Sequence, residues 1–208
     1  MKFNTAIFDF DGTIVDSLDS LIKIFKKLSL QYRGKELTSE EIDKLRNWKA
    51  QDVFRYLDIP TIKLPFVVIG IRRSLAKETA LHKPVEGISE ALLNLKKKGI
   101  KIGILTSNSH KNVSNFLRLN NLDIFNFIGS GSTLFGKDKL LEKIIRNERL
   151  NINKTIYIGD EARDIEACRK INMKVAAVTW GFNKREILNT SKPDYIMEKP
   201  HQLLKLFV

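Results

Sequence analysis

Two carboxylates two positions apart, Asp9 and Asp11, follow the apolar run Thr5-Ala6-Ile7-Phe8 inside the decapeptide Phe8-Asp9-Phe10-Asp11-Gly12-Thr13-Ile14-Val15-Asp16-Ser17. On a strand, alternate side chains share a face, so this spacing predicts that both acids project the same way. Gly12 and Thr13 then offer a turn whose backbone amides can face whatever the acids hold. Converging carboxylates need a cation or a proton to coexist. Asp-Gly between apolar residues is also a hairpin signal, but the chain turns helical from about Leu18 to Leu30 and no second strand returns. A calcium loop is ruled out, because counting from Asp9 its glycine and glutamate positions hold Ile14 and Ser20.

Ile156-Tyr157-Ile158-Gly159-Asp160-Glu161-Ala162-Arg163-Asp164 repeats the logic: an apolar strand runs into a glycine and then an acid. If both strands end on one edge of a parallel sheet, Asp160 can approach Asp9. An oxygen-only cluster of that kind suits a hard divalent cation, with magnesium the best fit. Asp160 and Asp164 also fit helix N-terminal acids favoured by the dipole, a description that suits Asp164 better than Asp160. Between the two acidic sites, the apolar Ile100–Leu105 leads into Thr106-Ser107-Asn108-Ser109, small hydroxyl and amide side chains at a helix N-terminus, where anions bind. Ser109 also reads as a plain N-cap. Lys137 opens a helix after Gly129-Ser130-Gly131-Ser132-Thr133-Leu134-Phe135-Gly136, where the dipole disfavours a lysine, so its ammonium points to use on an anion. The same segment nearly spells a P-loop, but Asp138 stands where Ser or Thr should reach magnesium and would oppose a triphosphate.

The elements that must carry these residues alternate regularly from Pro84 onward. Helix Glu86–Lys98, closed by Gly99, precedes strand Ile100–Leu105; helix Ser109–Leu119 precedes strand Ile124–Ile128; helix Lys137–Arg149 precedes strand Thr155–Ile158. Helix Glu161–Lys170, strand Lys174–Val178, a short strand Tyr195–Met197 and a terminal helix from Pro200 complete the pattern. Helix-length crossovers imply an α/β fold, a doubly wound, mostly parallel Rossmann-like sheet that Phe3–Phe8 must join. Residues 17–80 interrupt the alternation with helices from Leu18, from the capping box Thr38-Ser39-Glu40-Glu41, over Gln51–Leu57 and from about Pro65 to Thr79. The organisation expected is an α/β core of residues 1–16 and 81–208 with an inserted α-helical cap of residues 17–80. Such an insertion stands outside the carboxyl ends of the strands, where ligands bind in these folds.

Bulk properties narrow the class. With 208 residues and 43% hydrophobic content there is room for one sizeable core plus a small inserted domain. The single cysteine, Cys168, excludes an intramolecular disulfide framework, and nothing at the N-terminus reads as a signal peptide, so a cytoplasmic location is expected. No window approaches eighteen consecutive apolar residues, so no membrane span is expected. The net charge of +12 favours anionic partners, whether nucleic acid, anionic lipid or phosphorylated metabolites. Lys23, Lys26, Lys27, Lys96, Lys97, Lys98, Lys143 and Lys170 are scattered over predicted helices as solvated faces, which argues against nucleic acid and lipid. His82, His110 and His201 lack metal-ligand spacing.

The order Asp9-x-Asp11-Gly12-Thr13, Thr106 after a strand, Lys137 opening a later helix, and Gly159-Asp160 with Asp164 resembles the haloacid dehalogenase superfamily of hydrolases over essentially the whole chain. The insertion resembles the helical cap of its phosphoglycolate phosphatase-like branch, as do Ile104-Leu105-Thr106-Ser107-Asn108-Ser109 and Val178-Thr179-Trp180-Gly181-Phe182-Asn183. The resemblance implies Asp9 as a nucleophile that forms an aspartyl-phosphate, with magnesium held by Asp9, the Asp11 carbonyl and Asp160. It implies Asp11 as general acid and base, and Thr106 and Lys137 as holders of the phosphoryl oxygens. Gly12, Thr13, Ser107 and Asn108 are the implied phosphate or substrate contacts. Asp164 would orient Lys137 or a metal-bound water, and Glu161 would join the metal's outer shell or merely start its helix. The presence of Asp11 favours phosphoester chemistry over dehalogenation. A phosphomutase of the β-phosphoglucomutase kind shares both acids and stays open, as does a non-enzymatic, basic nucleic-acid-binding or regulatory protein on the same scaffold. The partner expected is a small phosphorylated metabolite, phosphoglycolate foremost, which Arg46, Trp48, Lys49, Arg72 and Arg73 are candidates to meet. The assembly expected is a monomer or weak homodimer.

Overall fold

A computed structural model describes residues 2–131 and 136–207. At its centre lies strand β1 (Thr5–Phe8), buried along its whole length. A short apolar run with no polar face needs cover on both sides and a neighbour on each edge. β2 (Lys101–Thr106) and β4 (Thr155–Gly159) supply the edges, pairing in parallel so that Phe8 lies opposite Ile104 and Ile158. β3 (Phe127–Ser130), β5 (Lys174–Val178) and β6 (Tyr195–Met197) extend the sheet, all in parallel, to the order β3-β2-β1-β4-β5-β6. The chain thus adopts the doubly wound α/β fold. Strand order reverses between β1 and β4, which opens a crevice at their carboxyl ends.

Four α-helices are inserted after β1, within residues 17–80: α1 (Leu18–Arg33), α2 (Ser39–Leu45), α3 (Ala50–Tyr56) and α4 (Leu64–Glu78). Both arms of the capping box form, since Thr38 accepts from the Glu41 amide and Glu41 from the Thr38 amide. These helices enclose apolar residues of their own, including Phe25, Leu45, Val53, Leu57 and Val68. The chain leaves and returns side by side: Asp16 N donates to Lys83 O (3.0 Å) and Val85 N to Ile14 O (2.9 Å).

The remaining helices, α5 (Ile88–Lys97), α6 (His110–Leu119), α7 (Lys137–Asn147), α8 (Ala162–Lys170) and α9 (Arg185–Thr190), cover the sheet. Alternation along β1 divides the interior in two. Ala6 and Phe8 pack with Leu92 and Leu95 of α5 and Phe116 of α6, whereas Ile7 packs with Leu141 of α7 and Ile165 of α8. Each fully buried side chain of this size is worth roughly 1.5–3 kcal/mol.

Several elements depart from the sequence reading. β3 begins at Phe127 rather than Ile124, because pairing with β2 sets Gly129 against Leu105 and Ser130 against Thr106. Ile124 and Phe125 precede the strand and pack on the core as loop residues. α1 continues three residues past Leu30 until Gly34 takes a left-handed conformation (φ 72°). The terminal segment Pro200–Phe207 is a 3-10 helix that buries Leu203, Leu206 and Phe207. α9 has only six residues, too short to show helical periodicity, and the sequence reading missed it.

Candidate active site

β1 ends at Phe8, so Asp9 is the first residue beyond the strand, held by its amide on Ile158 O (2.8 Å). The backbone then folds into a tight turn: the amides of Ile14 and Val15 both donate to Phe10 O, and Gly12 takes φ 78°. Strict strand alternation therefore does not reach Asp11. A side chain at Gly12 is barred twice, by the left-handed backbone and by Asp160 Oδ2, which would lie 2.3 Å from its Cβ.

The loop after β4 delivers Asp160, and the first turn of α8 delivers Asp164. Asp9, Asp160 and Asp164 each offer a carboxylate oxygen within 4.8 Å of the others, and all three side chains are buried. Gly159 and Gly181 wall this cluster closely: a Cβ at the first would lie 2.3 Å from Asp164 Oδ2, and at the second 2.3 Å from Asp160 Oδ2. Asp160 is held at both oxygens, by Thr13 Oγ1 (2.9 Å) and by the Phe182 amide (2.8 Å). Asp164 also accepts from the Glu161 amide (3.2 Å), closing a capping box at the start of α8 in which Glu161 is the N-cap.

Lys137 enters from the N-terminus of α7, directly after Gly136 (φ 118°). Its Nζ donates to Asp9 Oδ2 (2.7 Å) and to Asp164 Oδ1, and lies 5.0 Å from the centre of the Tyr157 ring. Burial works against the ammonium, but Asp164 and Asp9 outweigh it and hold the group protonated above the ordinary lysine range. The acids show the opposite imbalance. Burial pushes Asp160 well above the usual carboxylate range, and pushes Asp164 up to about 6 against the attraction of Lys137. Burial, followed by the Asp9 carboxylate, pushes Asp11 up to about 7. Its Oδ1 is shielded from solvent and finds no hydrogen-bond partner among the described residues. A densely acidic, all-oxygen cluster with one lysine bonded into it is suited to a hard divalent cation.

At the end of β2, Thr106 Oγ1 accepts from the Asn108 amide (2.9 Å). The Asn108 side chain reaches Thr79 Oγ1 (3.0 Å), just after α4, and its amide beside Asp11 partly offsets the upward push on that acid. Ser109 caps α6 through the Asn112 amide (3.2 Å). A cleft of about 110 Å³ touches Asp9, Thr106, Ser107 and Lys137. A larger cavity of about 350 Å³ lies between the inserted helices and the sheet, with Asp11, Gly12, Ser107, Asp160 and Glu161 on its floor.

The five residues expected to meet an anionic substrate divide. Lys49 and Arg72 line the larger cavity. Arg46 instead grips the loop after β5, donating to Phe182 O (2.9 Å) and Gly181 O (3.1 Å). Trp48 stacks edgewise on Tyr56, and Arg73 is exposed. The near P-loop runs from Gly131 to Lys137, and its middle residues 132–135 lie outside the described residues. Sequence reasoning gave no role to Arg163, which pairs with Glu161 and lines both cavities. It gave none to Phe182 and Asn183 either. Phe182 packs among the inserted helices, 5.5 Å from Phe25, while its amide holds Asp160. Asn183 accepts from the Ala162 amide (2.9 Å) and donates to Arg46 O (3.0 Å) and Trp48 O (3.2 Å). The signal available was the conspicuous run Trp180-Gly181-Phe182-Asn183 beyond a strand end at the acidic edge.

A family model described as haloacid dehalogenase-like hydrolase matches residues 6–178, the span that carries every acid and the lysine of this site. The chain belongs to the haloacid dehalogenase-like hydrolases. Among curated members, a phosphoglycolate phosphatase from Synechococcus elongatus is 30% identical over 200 residues, covering 96% of this chain and 94% of the relative. A pyrophosphatase, PpaX, from Anoxybacillus flavithermus is 28% identical over 214 residues, covering 99% and 97%. Among solved structures, a haloacid dehalogenase-like hydrolase from Streptococcus pneumoniae superposes with a TM-score of 0.78 at 22% identity, covering 100% of this chain and 99% of its own, a likeness of fold. This haloacid dehalogenase-like hydrolase is thus an enzyme of the phosphatase type, and a non-enzymatic nucleic-acid-binding role is not favoured. No helix among its described residues is long and apolar enough to cross a membrane.

Proposed function

We propose that the chain is a magnesium-dependent phosphatase that hydrolyses a small phosphomonoester in the cytoplasm by way of an aspartyl-phosphate on Asp9. The observation that carries this reading is the convergence of Asp9, Asp160 and Asp164 within 4.8 Å, with Lys137 bonded to two of them. Asp9, Asp160 and the Asp11 carbonyl would hold magnesium, which when bound relieves the repulsion between carboxylate and phosphate and offsets charge on the phosphoryl oxygens. The cluster fits the ion: its donors are hard oxygens, its three buried carboxylates share the single Lys137 ammonium, and Gly12, Gly159 and Gly181 stand where any Cβ would strike Asp160 or Asp164.

An Asp9 oxygen attacks phosphorus, the bond from phosphorus to the leaving oxygen breaks, and Asp11 gives that oxygen its proton. Asp11, now a carboxylate, takes a proton from water as that water attacks the phosphorus of the aspartyl-phosphate, which releases phosphate and restores Asp9. Lys137, Thr106 and Ser107, with the turn amides near Gly12, hold the phosphoryl oxygens. Thr13 acts through Asp160, and Asn108 through Thr106 and Asp11. Asp164 fixes the Lys137 ammonium.

The named activity of the 30% identical relative makes phosphoglycolate the first substrate to test. With magnesium, release of inorganic phosphate is expected. Asp9→Asn should lower kcat by on the order of a thousandfold or more, and a chelator should abolish turnover reversibly. Full activity in Asp9→Asn, or in excess chelator, would overturn the reading.

A further inference from the structure

We propose that the leaving group of the substrate carries an apolar body the size of one or two fused rings, lodged in a pouch between α1, α3, α4 and the loop after β5. The proposal rests on the phosphatase reading and names the class of phosphomonoester it acts on. The cavity of about 350 Å³ has two chemically distinct ends. Its floor is the polar edge of the sheet, with Asp11, Gly12, Ser107 and Asp160, where the phosphoryl group belongs. Its walls are mostly apolar, with Lys49, Arg72, Arg163 and Lys170 set among the apolar side chains. On α4, Leu64, Val68, Ile71 and Leu75 recur at helical spacing and all line the cavity, whereas Phe66 and Ile69 on the other face of the helix are exposed. On α1, Leu18, Leu21 and Phe25 form the matching stripe. Val53, Phe54 and Phe182 complete the enclosure.

Size and chemistry point the same way. A dry apolar cavity of roughly 150 Å³ already accepts benzene, so the pouch has room for more than a single ring. Ligand sites with apolar walls and a few convergent polar groups orient a ligand by its polar end and draw affinity from its apolar body. A two-carbon carboxylate such as glycolate has almost no apolar surface to bury against these side chains and gains little from the pouch. Pyrophosphate carries no apolar body to bury against the leucines and phenylalanines of the wall. Arg72 and Lys49 also line the cavity and suit a ring with an anionic or polar edge.

The test compares kcat/KM, with magnesium, for 2-(1-naphthyl)ethyl phosphate and ethyl phosphate, whose alcohols are similarly basic, so intrinsic leaving ability cancels. The naphthyl ester is expected to be favoured by about tenfold or more, carried by KM, with phosphoglycolate and pyrophosphate behind it. Val68→Trp, which fills the pouch, should lower the naphthyl-to-ethyl ratio by about fivefold or more. Ile71→Gln, at a half-buried position that tolerates an amide, should lower it in the same direction if the first variant folds poorly. A ratio near one, or a preference for ethyl phosphate, phosphoglycolate or pyrophosphate, would overturn the proposal. If no phosphate ester is hydrolysed, the phosphatase reading falls. Titration with the two corresponding phosphonates then decides the pouch: clearly tighter binding of the naphthyl compound supports it, and equal affinity overturns it.

Discussion

At Asp11 the acid lies at about 7 because burial disfavours its anion and Asp9 stands beside it. A carboxyl balanced near neutrality can give a proton to a leaving alkoxide and later take one from water. Asp11→Asn should therefore lower kcat by about 10²–10⁴-fold while leaving an intact fold by circular dichroism. The same group links stability to pH when magnesium is removed. Its folded value exceeds the ordinary 3.8, so between about 4 and 7 the folded state binds more protons than the unfolded state, and stability falls as pH rises. Asp164, raised from 3.8 to about 6, acts with the same sign. In chelator, thermal unfolding should come at lower temperature near pH 7.5 than near pH 5, and Asp11→Asn should flatten the difference. A Tm that rises across that interval would contradict the assignment. Of the residues named from sequence, Asp9, Asp160, Asp164 and Lys137 are the legible part of the site, since each sits where an apolar strand or a helix begins or ends. Arg163 was not legible, because a lone arginine on a helix start looks like any solvated residue.

At the scale of elements, the segment after β5 ties the inserted helices to the acidic cluster. Phe182 is 7% exposed and sits among Phe25, Val53 and Val68, while its amide holds Asp160 Oδ2. Phe182→Ala should cost about 3 kcal/mol in chemical unfolding and raise the magnesium concentration needed for half-maximal activity, because the ring that seats the residue 182 amide against Asp160 is gone. A variant that loses stability but keeps the magnesium requirement would show that the tether does not position the ligand. The rim pair Lys49–Glu166 joins the same two parts but is half-exposed at both ends, so Lys49→Ala should change stability by less than about 1 kcal/mol. The strands and long helices could be read from alternation and period, whereas α9 and the true start of β3 could not. α9 is too short to display a period, and β3 is placed by its register with β2 rather than by its own composition.

For the whole molecule, the crevice between β1 and β4 gathers acids from distant parts of the chain, so a bound ion should brace both strand ends at once. Magnesium at about a hundred times its Kd should stabilise the fold by about 2.7 kcal/mol, read as a Tm rise of roughly 5–10 °C for a chain of this size. Asp160→Asn should remove most of that rise, and an undiminished rise would place the ion elsewhere. The sequence by itself determined the fold class, the family and the acids and lysine, because strand and helix periods and the residues at strand ends are local properties. Only the tertiary structure decided that Asp9, Asp160 and Asp164 converge while the turn at Gly12 carries Asp11 beyond the strand's alternation. The same holds for the seating of Phe182 among the inserted helices and for the polar floor and apolar walls of the cavity above the site. These features depend on contacts between residues far apart in the chain, and no local pattern encodes which faces will meet.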